Sequence, residues 1–287
     1  MKTSFKTYLQ RKNYSSTSID TYEREVDKFL KWSENENMQI DLMRYSDIVA
    51  YMDKCKGYSR KTVQHIIITL GHYFDYLVES GVTLNNPAKG IKVMGVKRRT
   101  LYRILESEEL DSIYQNFQAS TLSQKRNKVI VGLFVFQGLK TEELYQLEVR
   151  HIKLNEGKIQ IVGSRKGNGR TLTLEPAQIM HMNTYIKETR NQIIEKSGEK
   201  TDRLLVNLER GFKLRVDVVI KELKTQNPRV EKADQLRASV IVKWLKMYNL
   251  RQVQYLAGHR FISSTEAYLQ SEMDGLSEEV NKFHPLG

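Results

Sequence analysis

Arg237-Ala238-Ser239, then Leu256-Ala257-Gly258-His259, then Ser263-Ser264-Thr265-Glu266-Ala267-Tyr268 is the stretch on which the reading of this chain turns. The arginine precedes the histidine by 22 positions, and the histidine precedes the tyrosine by nine. Val240, Ile241, Trp244, Leu245 and Met247 predict a largely buried helix over Ser239 to Tyr248. The cap-rich Ser263-Ser264-Thr265 opens a short helix that carries Tyr268. Each residue also has a plain structural role open to it. A histidine after glycine can cap a helix end, and a tyrosine can anchor a helix to a core.

Upstream, Val129 to Phe136 is strongly apolar and predicts a buried helix, Asn127 to Gln137, broken by Gly138. Gly138-Leu139-Lys140-Thr141-Glu142-Glu143-Leu144 then opens a short helix. Before it, Ser107 reads as the cap of a helix with acids in its first turn. His151–Leu154, Lys158–Val162 and Thr171–Leu174 alternate between glycine turns and predict a three-stranded antiparallel sheet. Lys166 stands in the last hairpin between Arg165 and Arg170, both candidate phosphate contacts. Further on come a helix from Pro176 with Met180, Met182, Tyr185 and Ile186 in the core, and a strand-like Leu204-Leu205-Val206. A helix from Leu214 to Lys224, carrying Val218, Val219 and Leu223, follows.

The first ninety residues read as four or five helices: Ser4 to Gln10, the Ile19–Trp32 periodicity, Tyr45 to Met52, and Ser59 to Glu79. Arg60 and Lys61 open the last of these, where helix-start amides and side chains suit phosphate. Val82 to Tyr102 changes texture: it holds glycines, a proline and Lys97-Arg98-Arg99, with few residues able to form a core. The formal net charge is +12 over 287 residues, and an excess that large points to nucleic acid as a partner. A basic enzyme of unrelated substrate is the plainer alternative. Cys55 is the one cysteine, so no internal disulfide can form and an intracellular setting is the default. Met1 to Gln10 has no apolar run behind its lysines, so neither a signal peptide nor a membrane span is expected.

Taken in order, Gly138-Leu139, Glu143-Leu144, Lys166, Arg237, Gly258-His259 and Tyr268 resemble the motif boxes of the tyrosine recombinase (phage integrase) family. The resemblance implies a two-domain, mainly α protein. An N-terminal SAM-like helical core-binding domain would span 1–90, ending at Asn86-Pro87-Ala88, with a basic linker over 91–103. An α+β tyrosine recombinase catalytic domain with a small antiparallel sheet would span 104–270, and the tail 271–287 would contact a neighbouring protomer. It implies Tyr268 as nucleophile toward a DNA phosphodiester, forming a 3′-phosphotyrosine. Arg237 and His259 would hold the phosphate, and Lys166 would act as general acid for the leaving 5′ oxygen.

Two positions depart from the family pattern. Lys140 stands where the family has arginine, keeping the charge but losing the bidentate fork. Asp234 stands where a histidine is usual; it could orient Arg237 or a neighbouring base, and capping of the helix holding Arg237 is the preferred reading. Lys97, Arg98, Arg99, Arg60, Lys61, Arg165 and Arg170 are the candidate DNA contacts. The implied partners are double-stranded DNA, three further copies in a tetramer on paired sites, and an accessory DNA-bending protein, in the bacterial cytoplasm at the nucleoid. No cofactor or metal is implied, because cationic side chains can supply the electrostatics. A DNA-binding regulator of the same fold, weakened at Lys140 and Asp234, is the alternative. A helicase lacks its phosphate loop, a nuclease lacks a carboxylate cluster, and a topoisomerase of related fold would differ in cutting without site choice.

Overall fold

Ser4, Ser15 and Ser59 each accept a hydrogen bond from the backbone N–H three residues on, at 3.2 to 3.3 Å. A helix follows each, because the hydroxyl satisfies an N–H that the helix itself leaves open. These are α1 (Phe5–Arg11), α2 (Ser16–Asn35) and, after α3 (Tyr45–Lys54), α4 (Arg60–Glu79). The computed structural model describes residues 4–96, 102–165, 167–208 and 216–269. The chain divides into two compact units, residues 1–100 and 101–287.

In the first unit, α2, α3 and α4 pack Phe29, Trp32, Ile48, Tyr51, Ile66, Leu70 and Phe74 into one core. Tyr8, Leu9, Ile19 and Tyr22 make a smaller cluster under α1. The segment after α4 is less bare of core than its composition suggests. Ala88 is buried, and Ile91 and Val93 pack against the same core. Asn86 stitches this exit to α4: its Nδ2 donates to the Gly71 carbonyl (2.9 Å) and to Asp75 (2.7 Å), while its Oδ1 accepts from Ala88 N–H (2.9 Å).

The second unit is built around an apolar helix. It begins with α5 (Ser107–Asn116), α6 (Leu122–Val135) and α7 (Thr141–Gln146). Every residue from Val129 to Val135 is buried, as expected of a helix apolar on all sides. It starts five residues before the expected Asn127, because Thr121 and Gln124 cap each other's backbone reciprocally. The cap of α5 is Glu106 rather than Ser107: the Glu106 N–H donates to Glu109, and Ser107 is the first helical residue.

The sheet is antiparallel in the order β1 (Ile152–Lys153), β2 (Lys158–Ile161), β3 (Arg170–Thr173). Ile159 pairs with both Ile152 and Leu172, and all three face the core. Then come α8 (Pro176–Thr184), a π-helical turn (Tyr185–Thr189), α9 (Arg190–Ser197), α10 (Val216–Gln226), α11 (Ala233–Met247), α12 (Leu250–Ala257) and α13 (263–269).

Three expected core residues are exposed instead: Met180 (78%), Val218 and Met247. Met182, on the same helix as Met180, is buried, so the helix turns one methionine in and the other out. Residues 204–206 are fully buried but form no strand. A single antiparallel bridge, Glu148 to Arg203, precedes them. Among the described residues no helix is long and apolar enough to cross a membrane.

Candidate active site

Gly138 and Gly258 turn the chain at the two places where the site is assembled, with φ of +54° and +64°. At Gly138 a Cβ would stand 3.1 Å from Val240, and at Gly258 it would stand 2.5 Å from the Arg170 guanidinium. Glycine is therefore required twice over at each, by conformation and by crowding. The two turns offer their carbonyls to one residue. Arg237, on the first turns of α11 and 4% exposed, donates to Gly138 O (2.5 Å) and to Ala257 O (2.6 Å).

The same guanidinium lies 3.3 Å from His259 Nε2. His259 Nδ1 is 2.9 Å from Thr265 Oγ1, and the imidazole stacks on the Tyr268 ring at 5.8 Å and 11°. Burial, then the charges of Arg237, Lys140 and Arg170, lower the His259 pKa to about 4, so the ring is neutral near pH 7. Burial raises the Tyr268 hydroxyl, and the nearby Asp234 carboxylate adds to this; Arg237 opposes by charge and hydrogen bonding. The phenol is thus protonated at rest, beside the guanidinium that would stabilise its anion.

Lys140 occupies the N-cap position of α7 without a side-chain capping bond, and it is half-buried. Burial and then Arg237 lower its pKa, with Glu143 opposing. Its ammonium lies against the hairpin, 3.4 Å from where a Cβ of Gly167 would stand. Lys140, His259 and Tyr268 line a cavity of about 400 Å³ with Arg165, Arg260, Phe261 and Ser264. The hairpin is tied to the turn after α12 by Asn168 N–H to Gly258 O (3.0 Å) and by Arg260 to the Arg165 carbonyl (2.7 Å).

Two expectations need correction. Arg170 is no surface phosphate contact. Its side chain is wholly buried, makes a two-pronged pair with Glu143 (2.7 and 2.9 Å) and donates to Leu256 O (2.7 Å). Arg170 and Leu172 are the inward-facing residues of β3 by alternation, and a buried guanidinium needs these partners to offset lost hydration. Burial alone would raise the Glu143 carboxyl, but hydrogen bonds and charge from Arg170 bring it below the usual range. Asp234 is not the cap of α11: Lys232 holds that position, and Asp234 lies exposed in the first turn.

Sequence reasoning thus brought Arg237, His259, Tyr268 and Lys140 to one place. It assigned no task to Glu143 or Thr265. Glu143, three residues after Lys140, takes the Lys140 backbone N–H (2.9 Å), a spacing that could have flagged it as a cap partner. Lys166, Lys97, Arg98, Arg99 and the tail 271–287 lie outside the described residues. Arg60 and Lys61 belong to the first unit, both exposed on the first turn of α4, with Arg60 donating to Met94 O (3.2 Å).

A buried arginine, a neutral histidine and a stacked tyrosine facing a basic cavity match what comparison finds. Residues 103–274 match the phage integrase family, and residues 3–81 match the phage integrase N-terminal SAM-like domain. The chain belongs to the phage integrase family. Its activity class is tyrosine-recombinase-type site-specific DNA recombination.

Similar proteins span nearly its whole length. Tyrosine recombinase XerD of Oceanobacillus iheyensis is 27% identical over 94% of this chain and 93% of its own. XerC of the same organism is 25% identical over 98% and 94%. The structure of the XerH site-specific recombinase bound to palindromic difH substrate, a post-cleavage complex, shares the fold. It has a TM-score of 0.73 and 21% identity over 96% of this chain and 82% of that one.

Proposed function

We propose that the chain cleaves and rejoins DNA through Tyr268. The phenolic oxygen attacks the scissile phosphorus, its proton passes to water, and the bond to the 5′ oxygen breaks. A 3′-phosphotyrosine results. The observation that carries this reading is the Arg237–His259–Tyr268 cluster, of which His259 and Tyr268 line a cationic cavity and Arg237 lies buried behind them. Arg237 and Lys140 stabilise charge on the non-bridging oxygens, and His259 contributes a hydrogen bond. Lys166 protonates the leaving 5′ oxygen. The phosphotyrosine preserves the ester, so a 5′ hydroxyl from another strand reseals it and releases the phenol.

Arg60, Lys61, Arg165 and the Lys97-Arg98-Arg99 run contact the DNA backbone. Four protomers act on two duplexes in integration, excision or resolution of a mobile element or replicon, with an accessory DNA-bending protein as a further partner. The test is trapping on a suicide duplex that carries the element's own recombination site, nicked beside the scissile phosphate. A covalent adduct with wild type and none with Tyr268→Phe supports the reading. Specific binding without adduct overturns it in favour of a DNA-binding regulator, the reading that Lys140 favours.

A further inference from the structure

We propose that Thr265 is a positioning residue whose hydroxyl holds the His259 ring while its proton moves from Nδ1 to Nε2. This rests on the reading of Tyr268 as nucleophile and of His259 as a donor to the phosphate. Thr265 is 0% exposed, and among the described residues its hydroxyl has one partner, His259 Nδ1 at 2.9 Å. The placement is local: the chain turns after His259, and Thr265 N–H closes that turn on Ile262 O (2.8 Å) at the start of α13. The other end of the ring meets Arg237, 3.3 Å from Nε2.

A neutral imidazole has one N–H and one lone pair. A guanidinium can only donate, so in the site as it stands Nε2 accepts from Arg237. The proton is then on Nδ1, donated to Thr265 Oγ1. That state cannot donate to a phosphate. When a phosphate oxygen takes the Arg237 guanidinium, Nε2 needs the proton and Nδ1 becomes the acceptor. No net proton is consumed: one leaves Nδ1 and one joins Nε2, exchanged with water in the open cavity.

Thr265 serves both states, because a hydroxyl accepts in the first and, after rotating about Cβ–Oγ1, donates in the second. A backbone carbonyl in its place could only accept and would hold the proton on Nδ1. A methyl would leave a buried nitrogen unpaired, which is costly. Lys140, Arg170 and Glu143 also surround the ring electrostatically, but among the described residues the partners within hydrogen-bond reach of its nitrogens are Arg237 and Thr265.

The experiment uses the full chain with Thr265→Val, near-isosteric but without the hydroxyl, and Thr265→Ser, which keeps it. Thr265→Val is expected to slow adduct formation roughly 10- to 100-fold, with affinity for the duplex unchanged within about twofold. Thr265→Ser is expected to recover to within roughly threefold of wild type. In ¹⁵N spectra of labelled histidine, the free protein should show a protonated Nδ1 and a bare Nε2 at His259, and Tyr268→Phe bound to the uncleaved duplex should show the reverse.

Wild-type cleavage rates in Thr265→Val would overturn the proposal, as would Thr265→Ser as impaired as Thr265→Val, since packing would then be the cause. If wild type itself forms no adduct, the nucleophile reading fails. The ¹⁵N pattern still decides the exchange that Thr265 serves, and a proton that stays on Nδ1 in duplex-bound Tyr268→Phe overturns it.

Discussion

Among the described residues the second unit buries cations, and the first keeps its own at the surface. In the first, Arg60 and Lys61 stand exposed on the first turn of α4, and the ion pairs Lys28–Glu25 (2.8 Å) and Lys56–Asp53 (3.2 Å) keep their lysines at the surface. In the second, Arg170 and Arg237 are buried, with Glu143 and three backbone carbonyls as partners. An exposed cation stays hydrated and meets a polyanion in many orientations. A buried one has lost that hydration, so it persists where its N–H groups are satisfied in a single geometry. The first arrangement suits gripping a backbone, and the second suits aiming charge at one phosphate.

The comparison breaks hardest at Arg237. Arg237→Ala should reduce adduct formation on the suicide duplex by about 10³-fold. Binding in a gel-shift assay should fall far less, because exposed lysines and arginines of both units carry much of the affinity.

Arg170→Met should cost about 3–5 kcal/mol in denaturant unfolding, because Glu143 is left buried without its partner. The double variant with Glu143→Gln should recover part of this. The matching test in the first unit, Asp53→Asn against Lys56, should stay within about 1 kcal/mol. Equal effects in the two units would erase the distinction.

The pH dependence sharpens it further. The unfolded His259 ring takes a proton below about 6.5, whereas the folded ring takes one only below about 4. Between those values the unfolded chain holds the extra proton. Stability should therefore fall as pH drops through that window, by on the order of 2–3 kcal/mol. His259→Gln should flatten that part of the stability curve, measured by denaturant titration from pH 4 to 7. Above pH 6.5 this residue should add no slope.

The smallest effect is expected at the start of α4. Ser59→Ala should cost about 1 kcal/mol through loss of the cap, read from unfolding of the first unit. Lys61→Ala should lower the slope of log affinity against log salt by about one, leaving the cleavage rate of bound DNA unchanged.

What was legible in the sequence follows the same division. Serine caps and helical periodicity act over three or four residues, so α1 to α4 were read nearly to their ends. The order of Arg237, His259 and Tyr268 marked the site, since that chemistry demands those residue types. Misreadings fell where burial depends on distant elements. Arg170 read as a surface cation because its partner Glu143 lies on another element. Met180 read as core because an apolar residue on a helix does not announce which face is covered. Asp234 read as a cap because the start of α11 sits at Lys232, two residues before it.

By itself, then, the sequence determined the two-part architecture and the capped helices, and it named the candidates for the reacting side chains. These rest on local backbone chemistry and on residue type. Only the tertiary structure decided the burial of Arg170 against Glu143, the neutrality of His259 and the bond from Thr265 to its Nδ1. Each depends on groups from separate elements meeting in a space from which water is largely excluded. There desolvation and pairing, rather than sequence spacing, set the charge and direction of every side chain.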